Sequence, residues 1–463
     1  LSNNGVNRNE LSSSGNTILH VAYNEKKMEL FQFLLDSGCS PNVQNKDKET
    51  VLFQAFYEKN DEIAELLLKR YNGDINTQTN DGNSLAHIAL FEHDYDRIFY
   101  YNEQGIDLEI KNNYGYTIFM ISIIMLDDLE FSDSLLKHSA DINTQDLYGN
   151  TPLLNILHSK KFDQNKFNFL IDNNCDINIQ NSMGEFPLSV CMIKELNEVC
   201  QILLNKGCLI NDPKSEYEPI AIALKIDSKY WFETLIEHGA NALNEKYPII
   251  STYIKSKFFD FELMKNIKGI NASIGAPIQT ALWKHYYEVA LYLWDIIDED
   301  KKAEIAATPD SFGMIPLSAA IVYDCEKLVD ILLSGDYEVM TPDSQNRTPF
   351  SYACQVNQID WIDRIYKKIT IENINLVDKI GNSAFTYLAC SNNKEYCKLL
   401  FIKGANVFDI NADHNKIIKA YQFLLIKYNE FIKISLFHYF QTQLHLDHWE
   451  RVIDDLSNEI DAV

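Results

Sequence analysis

The 463-residue chain lacks any apolar stretch long enough to cross a bilayer. Its longest apolar run, Thr117 to Leu126, reaches about half the roughly 20 residues that a transmembrane helix needs, so direct membrane insertion is not expected. Basic residues are in short supply as well. Lys and Arg number 41 against 66 Asp and Glu, for a net charge of −25 and a pI near 4.8. Nucleic acid and anionic lipid both call for a basic footprint; none is visible, and neither is expected as the main partner. The nine cysteines form no Cys-x-x-Cys pair and have no His-x(3-5)-His companion, which removes the usual zinc spacings. Cys39, Cys175 and Cys208 instead recur in one small-residue slot just before an Asp-Ile-Asn-like phrase, and read as buried small apolar residues. A reduced, cytoplasmic setting follows. The sequons Asn271-Ala-Ser273 and Asn346-Arg-Thr348 do not overturn it, because Thr348 already has a place in the repeat described below.

Catalytic signatures are missing too. There is no Gly-x-x-x-x-Gly-Lys-Ser/Thr phosphate loop, no Gly-x-Ser-x-Gly elbow and no His-Glu-x-x-His helix. Asp310-Ser-Phe312-Gly313 approaches the Asp-Phe-Gly of kinases with one insertion, but no kinase catalytic loop accompanies it and it falls in a repeat turn. His445, Asp447 and His448 would be neighbours on a helix, yet no Cys or third His lies nearby to complete a metal site. No enzyme activity, cofactor or metal is expected. The start, Leu1-Ser-Asn-Asn-Gly-Val-Asn-Arg, carries no charged-then-apolar secretory pattern, and the first residue is not Met, which leaves room for upstream sequence.

What the chain does have is one phrase restated again and again. A polar turn ends in Gly, a Thr/Ser-Pro-Leu-like step opens a short apolar helix, a second helix ends in Leu-Leu, and a tail reads Asp-Ile-Asn. Asp146-Leu-Tyr-Gly149-Asn-Thr151-Pro152-Leu153, preceded by Asp141-Ile142-Asn143, is the clearest copy. Thr17, Thr50, Ser84, Thr117 and Thr151 mark successive copies at steps of about 33 or 34 residues, the period of a β-turn plus two helices. In the second helix of each copy apolar residues fall at i, i+3 and i+4, as in Ile63, Leu66, Leu67 and in Leu328, Ile331, Leu332, with Glu62, Glu65 and Lys69 left outward. The Thr or Ser at the first helix suits an N-cap and the Pro after it suits the first turn. A unit this short cannot bury its apolar face alone, so the copies must stack on one another.

These residues resemble the ankyrin-repeat family, whose pattern is Asp-x-x-Gly-x-Thr-Pro-Leu-His-x-Ala followed by a Leu-Leu helix end and Gly-Ala. Thr17-Ile-Leu-His20-Val-Ala22, Asp81-Gly82-Asn83-Ser84-Leu85-Ala86-His87-Ile88-Ala89, Gly313-Met-Ile-Pro316-Leu317, Arg347-Thr348-Pro349-Phe350 and Glu237-His238-Gly239-Ala240-Asn241 carry the likeness. The resemblance implies an all-α ankyrin-repeat solenoid, a divergent array of about twelve repeats. It also implies that His20 and His87 hydrogen-bond within and between repeats.

Residues 1–213 keep the rhythm, 214–310 loosen it, 311–412 resume it, and 413–463 leave it. In the loose region Glu218-Pro219, Tyr247-Pro248 and Ala276-Pro277 recur at about 29 residues without turn glycines, which predicts abbreviated turns or helices. The stretch Asp295 to Pro309 then lengthens an interval and reads as extended; the array either bends here or is divided into two. Past Asp413, Ile417 to Ile426 and Phe431 to Phe437 are apolar and helical in pattern, and read as a C-terminal helical cap or as an assembly contact with another protein.

In ankyrin-like stacks the turns and first helices line a concave surface to which partners bind. The residue before the turn glycine is free of structural duty there. It reads Asp47, Asp81, then Tyr114, Tyr148, Met183, and later Phe312 and Ile380. With Tyr116 and Leu147 beside them, and Ile124, Met125, His158 and Ile193 at the ends of the matching first helices, they form a candidate protein-binding patch. Acidic turns precede it, so the partner expected is a protein with an apolar anchor and basic flanks. The function expected is a non-enzymatic protein-interaction scaffold. The alternatives are the targeting or substrate-recruiting portion of a larger enzyme or membrane-trafficking protein, and a structural subunit of a large assembly.

Overall fold

A computed structural model describes residues 9–405, apart from 213–216, 244–246, 271–274, 336, 338–339 and 392. The proposed cap at 413–463 and the His445, Asp447 and His448 group lie outside the described residues. The fold is an all-α repeat solenoid, and among the described residues β-pairing is confined to isolated bridges between Asn241 and Lys268 and between Val377 and Ser383. The chain divides into two compact units, Leu1–Ile222 and Ala223–Val463.

In the first unit, short helices alternate with slightly longer ones. Val51–Tyr57 pairs with Asp61–Tyr71, Leu85–Phe91 with Tyr95–Asn102, Ile118–Met125 with Leu129–Lys137, Pro152–His158 with Gln164–Asp172, and Pro187–Ile193 with Asn197–Asn205. From Leu85–Phe91 onward each of these first helices also packs on the first helix of the next pair, Leu85–Phe91 on Ile118–Met125, that on Pro152–His158, and that on Pro187–Ile193. First helices are buried on nearly every face: Ile118, Phe119, Met120, Ile121 and Ile123 of one such helix are all within the core. Second helices bury one stripe, such as Phe167 and Leu170, and each such large side chain contributes about 1.5–3 kcal/mol of transfer free energy.

The turns between pairs project as fingers. Asp146 Oδ1 accepts from the backbone amides of Tyr148 (2.8 Å) and Asn150 (2.9 Å), while the Gly149 amide donates to Asp146 O (3.0 Å). Asn112, Asn181, Asp310, Asp343 and Asp378 repeat this closure in their own fingers. Asp310 therefore stands where an Asp or Asn closes a turn. Consecutive fingers are bonded edge to edge, as where the Ser182 amide donates to Tyr148 O (2.8 Å). Gly149 holds a φ of +76°, and a Cβ there would stand 2.7 Å from the Ser182 nitrogen.

His20 and His87 tie each pair to the next. His87 Nε2 meets Tyr116 O at 3.0 Å; a carbonyl only accepts, so Nε2 carries the proton and Nδ1 accepts from the Ser84 hydroxyl at 2.9 Å. Burial holds the His87 pKa below the usual histidine value, in keeping with that neutral form. His20 does the same between Thr17 and Glu49 O. None of the nine cysteines is in a disulfide, and Cys39, Cys175 and Cys208 are buried.

In the second unit the pairs are Ile249–Lys255 with Phe261–Lys265, Pro277–Trp283 with Tyr287–Asp295, Pro316–Val322 with Glu326–Ser334, Pro349–Val356 with Ile359–Tyr366, and Ala384–Cys390 with Lys394–Ile402. Phe261–Lys265 is only 5 residues long. One expectation is corrected here. The stretch Asp295 to Pro309 is not extended: it holds a 3₁₀ turn, Glu299–Lys301, and a helix, Lys302–Ala307, that buries Ile305 and Ala306. No described helix is long and apolar enough to cross a membrane.

Candidate protein-binding surface

The fingers at Asn112 to Tyr116, Asp146 to Asn150 and Asn181 to Glu185 are neighbours, since a Cβ on Gly115 would lie 2.5 Å from the Leu147 nitrogen and Ser182 is bonded to Tyr148. At their tips Tyr114, Tyr148 and Met183 are 69%, 72% and 67% exposed, and Leu147 is exposed beside them. Closure by the Asn or Asp at each finger base leaves the tip residue's amide satisfied and its side chain without a place in the core. The tips are thus apolar groups held in water by a hydrogen-bonded frame, an arrangement typical of contact surfaces.

Tyr116 differs from its neighbours. It is half-buried, its ring stacks on Tyr114 with centroids 6.4 Å apart, and burial, then Asp146 and Tyr148, raise its pKa. It supports the Tyr114 tip and offers less free surface.

The expected helix-end residues separate into three kinds. Met125 and Ile193 end their helices and are exposed. His158 ends its helix half-exposed and pairs with Glu185 Oε2 at 3.2 Å, which also accepts from Asn181 Nδ2 at 2.7 Å, so it links helix end to finger. Ile124 is half-buried and lines a depression of about 430 Å³ with Asp127, Asn155 and Phe162. Phe312 is 64% exposed at a finger tip and belongs to the second unit.

Tyr57 and Phe91 were not among the expected residues. They are the final residues of Val51–Tyr57 and Leu85–Phe91, are exposed, and extend the row Met125, His158, Ile193 toward the acidic fingers at Asp47 and Asp81. The signal was available: each stands at the same place after Thr50 or Ser84 as His158 does after Thr151.

What this surface can do chemically is bind. It offers aromatic and thioether side chains with phenol hydroxyls, on a rigid backbone, beside exposed carboxylates. Among the described residues no group of three His, Cys, Asp or Glu side chains gathers as a metal site.

A profile of ankyrin repeats, in three copies, matches residues 1–79 and 19–101. A fowlpox virus protein named as a putative ankyrin repeat protein is 28% identical over 148 residues, 32% of this chain and 25% of that protein. An intracellular phospholipase A2 of Caenorhabditis elegans is 27% identical over 258 residues, 51% of this chain and 24% of that protein. A putative ankyrin repeat protein of Acanthamoeba polyphaga mimivirus is 26% identical over 246 residues, 52% of this chain and 30% of that protein. The chain thus spans less than a third of each of these relatives.

Proposed function

We propose that this chain, whose ankyrin repeats make it a protein-interaction module, is a non-enzymatic scaffold that binds a partner protein on the finger side of its first unit. The surface meant is the concave one in such stacks, centred on Tyr114, Tyr148 and Met183 and continued by Leu147, Met125 and Ile193. One observation carries this reading: three adjacent finger tips hold large apolar side chains about two-thirds exposed, where polar residues would cost nothing. The partner presents an apolar anchor with basic flanks, matched to the exposed Asp47 and Asp81. Cysteines that are mostly buried and form no disulfide support a cytoplasmic location.

The test is affinity capture from a lysate of the source cells, with the chain and with Tyr114→Asp/Tyr148→Asp/Met183→Asp as paired baits of equal helicity. Loss of one specific protein from the variant is the expected result, with at least a tenfold drop in capture. Equal capture by both baits contradicts this surface.

The match to an intracellular phospholipase A2 over 24% of that protein favours one other reading, an array that recruits substrate or partner for a larger enzyme. The same surface would serve it, and the captured protein would then be a substrate or a membrane-associated protein.

A further inference from the structure

The second unit contains a groove with a different character. Trp283 is the final residue of Pro277–Trp283 and is 51% exposed; it faces the same hollow as Phe312 and Tyr323. Two depressions meet there, of about 540 and 620 Å³, and both are lined by Trp283, Phe312 and Tyr323. The first adds Lys255 and Pro248, and the second adds Val322 and Val356. Each is within the range of about 300–1,000 Å³ in which ligand sites fall.

The walls are preformed. Asp310 Oδ1 accepts from the Phe312 and Met314 amides at 2.8 and 2.9 Å, and Phe312 O accepts from the Ser344 amide at 2.8 Å, so the aromatic tip is fixed from both sides. Gln279 Nε2, buried, donates to Thr308 O (2.8 Å) and Met314 O (3.1 Å) and secures the floor.

Charge then selects the ligand. Among the charged groups that line the depressions, Arg347 is taken by Asp343 Oδ2 at 3.0 and 3.2 Å, and Asp310 is engaged by its finger amides. Lys255, which lines the first depression, is in no ion pair among the described residues; Lys284 lines neither depression but adjoins Trp283, with its ammonium 4.9 Å from that ring's centroid, and is in no ion pair either. A cationic ligand would meet two uncompensated ammonium groups, and the Trp283 ring already has a cation over it. An anionic ligand would gain both.

We propose that this groove receives an extended acidic segment of a partner protein, which seats one large apolar side chain in each depression and sets carboxylates against Lys255 and Lys284. The site lies in the second unit and its residues are not those of the Tyr114, Tyr148 and Met183 surface, so it stands or falls independently of that surface.

The experiment is fluorescence anisotropy with the full chain and a set of labelled synthetic 12-residue peptides, rich in Glu, carrying two Trp or Leu anchors two to five residues apart. Matched peptides have Lys in place of every Glu, or Ala in place of both anchors. At least one Glu peptide is expected to bind saturably, its Lys and Ala counterparts at least tenfold more weakly. Trp283→Ala/Phe312→Asp should abolish binding, and Lys255→Glu/Lys284→Glu should weaken it at least fivefold and remove most of its salt dependence. Tyr114→Asp/Tyr148→Asp should leave it unchanged. The substituted groove residues are at the surface, and equal helicity of each variant is checked by circular dichroism. Binding of the Lys peptides as tightly as the Glu peptides, binding indifferent to Trp283 and Phe312, or no binding anywhere in the set would overturn the proposal.

Discussion

Thr50 and Thr151 occupy the same place in their repeats and have opposite energetic consequences. Thr151 Oγ1 accepts from the Leu154 amide at 3.3 Å and caps its helix. At Thr50 the equivalent amide, of Phe53, bonds to Thr50 O at 3.0 Å, and the buried hydroxyl is left without a hydrogen-bond partner. A buried donor with no partner keeps its desolvation cost, while a cap contributes about 1 kcal/mol. Thr50→Val is therefore predicted to raise stability by about 0.5–1 kcal/mol and Thr151→Val to lower it by about 0.5–2 kcal/mol, read from urea midpoints at constant slope. The sequence made the role of both threonines legible but not this difference, which depends on a tightened first turn. Tip residues were legible for the converse reason. The position before a turn glycine has no structural duty, so its side chain can be read without knowing its neighbours. Tyr57 and Phe91 were less legible because they adjoin acidic fingers, where no apolar tip marks the surface.

At the scale of the element, the finger is the unit whose failure would be felt. Gly149 holds a φ of +76° with the Ser182 nitrogen close behind it, whereas Lys48 and Asn346 occupy the same place in other fingers at 60° and 62°. A side chain is thus accommodated, but only by a shift of the turn. Gly149→Ala is predicted to cost about 1–2 kcal/mol, without unfolding the chain, and to speed amide exchange at Ser182, whose bond to Tyr148 O it loosens. Exchange at Ser182 unchanged from the parent chain would contradict the close approach. Elements with a full repeat behind them, such as Ile118–Met125 with Leu129–Lys137, were legible from period alone. Phe261–Lys265 and Lys302–Ala307 were not, because 5 or 6 residues make less than two turns and give periodicity nothing to act on. What holds the former is tertiary: the Tyr253 hydroxyl accepts from the Asp260 amide at 3.1 Å and contacts Asp260 O at 3.2 Å.

At the scale of the molecule, the two proposed surfaces of this acidic chain have opposite charge preferences. Net charge of −25 says little of either, because the first surface is set by three apolar tips beside Asp47 and Asp81, and the second by two lysines beside Trp283. The array itself was legible from the recurrence of one phrase. The first surface was legible as a list of residues, and the second was not, because its depressions are made by residues from fingers and helix ends far apart in sequence, Pro248 to Val356. The central claim is that protein partners meet the chain at the tips of the first unit's fingers. Site-specific photo-cross-linking tests it most directly, with a benzophenone amino acid placed in turn at Tyr114, at Tyr148 and, as a control, at exposed Glu62 on a second helix. A discrete cross-linked protein at both tips and not at Glu62 is the predicted result; the same product at Glu62, or none at either tip, would contradict the account.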